Sequence, residues 1–583
     1  MSKFFITNSK TLFQKTRKTA EESDYKVAFV YEPEKEGVYA LSTKKLTIDN
    51  QNGQQVGDGF IIVTGTMAWG GGEAISTSIL NQIFNSFNGD INQVRQNSIG
   101  NFATSIYKDN TIYVFGEMVG FYNIYYYSTE KEWLISNSLY DIYLLLKDNL
   151  TIDEMSLVES TVQGGILLDD TYFKEVKRLS GFNYLIIKDG SIEVVEEEIL
   201  YPMAQGTQEE KIEKYKGEAV TYAKKMSNAY GSPVISMTGG LDARIVLASY
   251  LSAGVKPQLY YGTGNSFITN TYVEDKQIDC QYASKFGLSL HEESWATPDP
   301  IDGFWDKYLK RYGFYFDVYA GSEAVFDSLE RSSNQLVTFG YCGELMRNLP
   351  WIEGRKSKYF TLKEYLNEFY LPYIVKRQVV KSDEYEKHIL NKLIRICRYY
   401  HLDTEHISNE DIFYLSLERR KSADSHMLNL INSMKYCTYL LGQYENLLAA
   451  RVNCEELSNS GYMLRCLNAI YPEVLEIPVF SHCTLREFDR DSMSLKEPVD
   501  KVGMVYNLKL LIKKYFPRVA IYFGRIKGNN KNGWRFDNDH NLYQYVLKLY
   551  DKYDSYQLLN RGLFEDSRVL VNYVMRIYAL RKG

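Results

Sequence analysis

The sequence predicts two units in series, an α+β unit with an antiparallel core followed by an α/β unit with helical C-terminal additions. Three observations carry this. Over residues 1–204, short alternating apolar runs recur between Gly, Asn, Asp and Lys punctuation, which is hairpin chemistry. From residue 205, apolar strands alternate with amphipathic helices, the pattern of a parallel sheet. Residues 355–480 then read as largely helical. A chain of 583 residues has room for both units at roughly 100–200 residues per domain.

In the first unit, strands are expected at GFIIVTG (59–65), NFATSIYKD (101–109), TIYVFGEM (111–118), NIYYYS (123–128) and EWLISNS (132–138). Between them ISTSILNQIFNSF (75–87) has helical spacing, with Ile79, Leu80, Ile83 and Phe87 on one face. FNYLIIKDGSIEVVEE (182–197) reads as a hairpin turning at Asp189-Gly190.

The second unit, 205–583, opens with a charged amphipathic helix over 205–230. SPVISM (232–237) reads as a buried strand, followed by a Gly turn and a helix over 243–254. QLYYGTG (258–264) is a second strand, and 275–287 a helix ending at Gly287, a good residue for a left-handed cap. QLVTFGYCG (335–343) is a third strand. No internal repeat and no low-complexity tract is found.

Composition excludes several classes. With 45% hydrophobic and 24% charged residues and a net charge of -6, the chain is neither disordered nor a basic nucleic-acid binder. No run of about 18 apolar residues occurs, so no membrane span is expected. The first residues lack an apolar signal core, so a cytoplasmic location is expected. Seven cysteines are dispersed without a C-x-x-C pair, which argues against a disulfide framework or a zinc ribbon. The seven histidines show no metal-ligand spacing, and His401 and His406 read as surface residues. From Lys501 to Arg535 there is no Asp or Glu but several Lys and Arg, which reads either as a solvated basic face or as a local site for a polyanion.

The strongest chemical signal is SMTGGLDARIVLA (236–248), a strand, a Thr-Gly-Gly-x-Asp turn and a helix start. Glycines let backbone amides approach an anion, and the helix N-terminus adds its orphan donors and positive dipole end. The Thr238 hydroxyl can donate to a phosphate oxygen. Asp242 suits a Mg2+ ion, which favours a carboxylate together with phosphate oxygens. The pattern is neither a Walker A loop nor a dinucleotide-binding turn.

This motif resembles the S-G-G-x-D-S pyrophosphate loop of the ATP pyrophosphatases, and the order of motifs resembles the asparagine synthetase family. Thr238 stands for the loop's first Ser, Gly239 and Gly240 match, and Ala243 replaces the final Ser. Gly262, Asp275 and the segment from Ala283 to Gly287 are similar to the family's strand-ending Gly, Asp and A-x-x-x-G helix. GYCGEL (340–345) resembles its second acidic motif, with Glu344 for the metal-binding Asp and Leu345 for the acid after it. ARVNCEE (450–456) resembles the A-R-V-P-F-L-D segment at Ala450, Arg451 and Val452. RIKGNNKNG (525–533) is similar to the R-x-K stretch, with Arg525, Lys527 and Gly533 matched. The resemblance implies ATP and Mg2+ as cofactors. It places Thr238, Gly239, Gly240, Asp242, Gly262 and Arg525 on the nucleotide, and Asp242, Asp275 and Glu344 on the metal. Glu344 and Lys527 become the catalytic pair, with Lys527 facing charge that develops on phosphoryl and acyl oxygens.

The first unit resembles the family's glutaminase half, an Ntn-hydrolase fold, at 99–128 and at KRLSGFNYLII (177–187). Its functional residues are absent. Ser2 stands where the nucleophilic Cys is needed, and no cysteine precedes Cys280. The resemblance therefore implies a degenerate, non-hydrolysing first domain, and an amine carried by the substrate rather than ammonia from glutamine. The expected activity is an AMP-forming amide ligase acting on a small-molecule or peptide carboxylate, with a precursor peptide as a possible partner, in the manner of lasso-peptide cyclases and β-lactam synthetases. Amidation of an amino acid or sugar acid with ammonia, and a dead ligase kept as a scaffold, are the rival readings.

Overall fold

The computed structural model describes the chain except for residues 1, 24, 35–36, 182, 265–270, 296–308, 310–312, 315–334, 354, 377–378, 482–483, 497–540, 555, 561–566 and 583. Residues 4–196 form two antiparallel sheets packed face to face. One orders its strands Val176–Arg178, Tyr125–Ser128, Trp133–Ser136, Phe4–Thr7, Tyr39–Thr43, Val27–Tyr31. The other runs Ser191–Glu196, Asn183–Lys188, Thr111–Gly116, Ser98–Lys108, Gly59–Trp69, Gly53–Val56, with Glu73–Ala74 also paired to Gly59–Trp69.

Side-chain alternation decides which layer each residue enters, because successive residues of a strand face opposite ways. Phe4 and Ile6 join Phe60, Ile62, Ile112 and Val114 between the sheets. Ile61, Val63, Phe102 and Phe115 point outward onto Leu80, Ile83 and Phe84 of the helix Thr77–Ser86. Phe5 and Leu41 point the other way, onto Leu12 and Phe13 of the helix Lys10–Glu22. The result is a four-layer helix–sheet–sheet–helix sandwich. The expected hairpin is present, with φ of 51° at Asp189 and 80° at Gly190, the left-handed pair a type I′ turn needs. The sequence expected strands at 59–65 and 101–109; these are longer in the structure, Gly59–Trp69 and Ser98–Lys108, and pair along their whole length.

The helix Gln208–Tyr230 leads into the second unit and starts with a capping box between Thr207 and Glu210. Five parallel strands follow in the spatial order Leu290–Trp295, Gln258–Gly264, Val234–Ser236, Leu336–Thr338, Tyr436–Thr438. The first strand in sequence is thus central, and the chain winds to one side of it and then to the other. The expected third strand, 335–343, is shorter than its apolar run. Pairing stops at Thr338, and Gly343–Met346 is a 3-10 turn entered through Cys342 at φ 73°.

The two units share one apolar core that runs from Phe5 to Leu580. The edge strand Tyr436–Thr438 is covered by the sandwich. The Cys437 amide donates to Thr66 Oγ1 at 2.8 Å, and the Tyr439 amide donates to Asn101 Oδ1 at 3.0 Å. Buried Lys45 donates to the carbonyls of Asn432 (2.6 Å) and Lys435 (3.0 Å). Covering an open edge removes a strand that would otherwise pair with another chain. Among the described residues, no helix is long and apolar enough to cross a membrane. The six described cysteines are free thiols; Cys483 lies outside the described residues.

Candidate functional site

The site is built where the central strand Val234–Ser236 gives way to the helix Leu241–Ser252. The helix begins two residues before its expected start, so Asp242 lies in its first turn. Gly240 is the N-cap residue and no side chain caps this end. The first-turn amides of the helix therefore lack the usual side-chain acceptor. Strands on either side of Val234–Ser236 connect in opposite directions, and such a switch point at the carboxyl ends of the strands is where open α/β sheets bind ligands. Gly262 lies beside it, near the carboxyl end of the neighbouring strand, paired with Glu293.

The Thr-Gly-Gly turn is held from three sides. Asp275 Oδ1 accepts the Gly239 amide at 2.6 Å, and the Phe480 amide donates to the Gly239 carbonyl at 2.9 Å. Arg244, fully buried, donates to the carbonyls of Gly239 (3.2 Å), Val474 (3.0 Å), Ile477 (2.6 Å) and Pro478 (3.0 Å). Gly239 is glycine by necessity: a Cβ there would lie 2.7 Å from Phe480 Cβ and 2.9 Å from Ile278 Cδ1. Asp275, expected as a metal ligand, is thus engaged with the turn itself, and it sits inside the helix Thr271–Phe286 rather than at its start. Burial raises the Asp275 carboxyl to about 6, against the pull of the Gly239 amide. One helical turn on, Asp279 is fully buried with no hydrogen-bond partner on either oxygen. Burial and then the neighbouring Asp275 raise it to about 8, against the opposing pull of Arg244.

The loop at 340–343 packs directly against the start of the helix Leu241–Ser252. A Cβ on Gly343 would lie 2.3 Å from Asp242 Cγ, and one on Gly340 would lie 2.5 Å from the Ala243 nitrogen. Only glycine lets the second loop approach the first so closely. Each carboxylate carries a guanidinium. Arg347 pairs with Asp242 at 3.0 Å, and Arg420 pairs with Glu344 while reaching Asp424 at 3.4 Å. Burial raises buried Asp424 to about 6, with Arg420 the main opposing influence. Among the described residues, no group of three His, Cys, Asp or Glu side chains could hold a metal ion. Asp242 and Glu344 lie on the two loops that meet here, each paired with an arginine. Mg2+ takes one or two protein carboxylates when phosphates and water complete its shell, so one of these acids would suffice for it.

Sequence reading missed Arg244, Asp279, Arg347, Arg420 and Asp424. Arg244 had a signal: it is the one charge in the otherwise apolar stretch ARIVLA. The arginines at 347 and 420 had none, because Asp242 and Glu344, the acids they pair with, are distant from them in sequence. Arg525 and Lys527 lie outside the described residues, as does Gly533.

At the other end of the chain Ser2 is buried. Its amide donates to the Ser433 carbonyl at 3.0 Å, Asn137 Nδ2 donates to its carbonyl at 3.1 Å, and its hydroxyl has no hydrogen-bond partner. Beside it Lys3 is bonded to Asp141 and to the Tyr25 hydroxyl. His401 and His406 are exposed and pair with Glu198 and Asp403, in keeping with surface residues.

No family model matches the chain, and no curated protein matches it. Among solved structures it is similar to a glutamine phosphoribosylpyrophosphate amidotransferase from B. subtilis complexed with ADP and GMP. The identity is 9% over 50% of this chain and 65% of that chain, so the match spans less than two thirds of that protein, and the TM-score is 0.23. It is also similar to a structure described as the allosteric regulatory enzyme of purine biosynthesis, at 9% identity over 46% of this chain and 67% of that one, with a TM-score of 0.22. Likenesses this slight carry no argument about activity.

Proposed function

We propose that the chain is an ATP-dependent amide ligase of the asparagine synthetase kind, with a degenerate glutaminase-like first domain and an ATP-pyrophosphatase-like second domain. A substrate carboxylate oxygen bonds to the α-phosphorus of ATP as the bond to the departing pyrophosphate breaks. An amine nitrogen then bonds to the acyl carbon, loses a proton and releases AMP. The observation that supports this reading most is the side-chain-uncapped helix start at Gly240, placed at the switch point of the parallel sheet. Backbone amides at that end, together with the Thr238 hydroxyl, are the donors for pyrophosphate oxygens. Asp242 and Glu344 would hold Mg2+, which would neutralise phosphate charge. Arg347 and Arg420 already stand on those carboxylates and are cations that a triphosphate attracts. Lys527 keeps the charge-stabilising role that the sequence resemblance implies.

An amine carried by the substrate itself fits a chain in which Ser2 is buried and bonded through its backbone. Intramolecular attack gains from effective molarity, so a peptide or natural-product cyclisation is the favoured form of the reaction. Amidation with free ammonia is the second form of the same chemistry. A scaffold reading has its own support: both candidate metal carboxylates are neutralised within the protein by arginine. Pyrophosphate exchange into ATP, driven by a panel of carboxylates that includes peptides and free amino acids, separates these readings. Carboxylate-dependent exchange supports a ligase. Absence of exchange together with absence of ATP binding by calorimetry leaves the scaffold.

A further inference from the structure

A second cavity, of about 440 Å3, lies between the two units and away from the Thr-Gly-Gly turn. Its walls come from Ser98–Lys108, the loop at Glu117, the helix Gln208–Tyr230 and the start of the helix Tyr444–Ala450. That volume falls within the roughly 300–1,000 Å3 of small-molecule sites, and domain junctions are among the places such sites occur.

The polar groups that line it are unevenly satisfied. Glu117 is 6% exposed. Its Oε1 accepts from Asn101 Nδ2 (3.0 Å) and from the amides of Phe121 (2.8 Å) and Tyr122 (3.1 Å), whereas its Oε2 has no partner. Asn446 is 2% exposed. Its Nδ2 donates to the Leu440 carbonyl at 2.6 Å, and its Oδ1 has no partner. The lining groups that do have partners are bonded inside the protein. Arg95 donates to the carbonyls of Gly116 and Gly181 and to Glu197, and the Gln443 amide both donates and accepts. So the buried unmatched groups among Glu117, Asn446, Arg95 and Gln443 are acceptors.

Charge points the same way. Glu117, Glu218 and Glu445 line the cavity against Lys225, since Arg95 is offset by Glu197. Burial and then the nearby charge of Glu218 raise the Glu445 carboxyl, against the pull of Lys214. Burial pushes Glu117 up to about 7, toward its neutral form, and a cation beside Oε2 would favour the charged form. A buried acceptor left unpaired is costly, so a group that supplies donors there is favoured.

We infer that this cavity binds a small organic cation, a primary amine or diamine, whose ammonium donates to Glu117 Oε2 and Asn446 Oδ1 while Glu218 and Glu445 attract it at the rim. The inference stands apart from the ligase reading, because none of its residues belongs to the ATP site.

Calorimetric titration of the full chain with putrescine tests it, with inorganic phosphate and glycerol as an anionic and a neutral comparison. Putrescine is expected to bind, and phosphate and glycerol are not. Glu117→Gln keeps the side chain's shape and should weaken putrescine by about tenfold or more. Glu218→Gln and Glu445→Gln, on the less buried wall, should each weaken it by about threefold without touching the core. If Glu117→Gln does not fold, these two variants decide. No putrescine heat at millimolar concentration, binding unchanged in the variants that fold, or equal binding of phosphate or glycerol overturns the inference. Loss of ATP–pyrophosphate exchange would not touch it.

Discussion

The helix starts of the first unit and the helix start at Leu241 in the second are finished differently. In the first, the helices beginning at Lys10, Thr77, Leu139 and Glu154 each have a Ser or Asp side chain accepting a first-turn amide. In the second, Thr207 caps the helix beginning at Gln208 in the same way, but the helix beginning at Leu241 has glycine in that position and no such bond. A capped end satisfies itself and is finished as structure. An end left without its side-chain acceptor keeps donors that a ligand can use. The contrast extends to the surroundings: Ser2 is enclosed by the Ser433 and Asn137 contacts, whereas the Thr-Gly-Gly turn is held through one amide and one carbonyl of Gly239. Two regions of one shared apolar core therefore differ in what they leave unpaired.

Four measurements break or sharpen this comparison. Asp242→Ala should lower ATP–pyrophosphate exchange by about 100-fold or more, as expected for loss of a group facing phosphate charge. Unchanged exchange removes Asp242 from the site. Arg244→Ala strips four carbonyls of their donor in a fully buried place and should destabilise the chain by about 3 kcal/mol or more, read as a shifted urea midpoint. A midpoint within error of the parent shows that the turn does not depend on this anchor.

Asp279 gives a pH signature. Its folded pKa of about 8 lies above the ordinary 3.8, so between these values the folded chain keeps a proton that the unfolded chain has lost. Stability from this group is full at low pH and falls as pH rises through that window, by at most about 1.4 kcal/mol per pH unit. Asp279→Asn should flatten that fall, which urea midpoints at pH 5 and pH 8 would reveal. An unaltered slope means that the carboxyl is not protonated in the fold. The smallest effect is expected at Ser2. Ser2→Ala removes a hydroxyl that makes no bond, so stability should change by no more than about 0.5 kcal/mol and exchange should be untouched. Glutamine hydrolysis that depended on Ser2 would show that the enclosed end of the first unit is a working site.

The Asp189-Gly190 hairpin, the strand Gln258–Gly264 and the cap at Gly287 were legible because each is a local matter of alternation or turn chemistry. The strand expected through Gly343 was not. Its apolar run continues, but pairing ends at Thr338, since register depends on a partner far away in sequence. The same reason governs the site. Spacing in a strand–turn–helix put Thr238, Gly239, Gly240 and Asp242 on one turn, whereas Glu344 entered only through the family resemblance of residues 340–345. Tertiary structure alone decided that Asp275 would accept the Gly239 amide and that Arg347 and Arg420 would neutralise the two acids. It also left Glu117 Oε2 without a donor in a cavity between the units. Such pairings join residues tens to hundreds of positions apart. Their energies come from burial and proximity, which no local pattern of residues encodes.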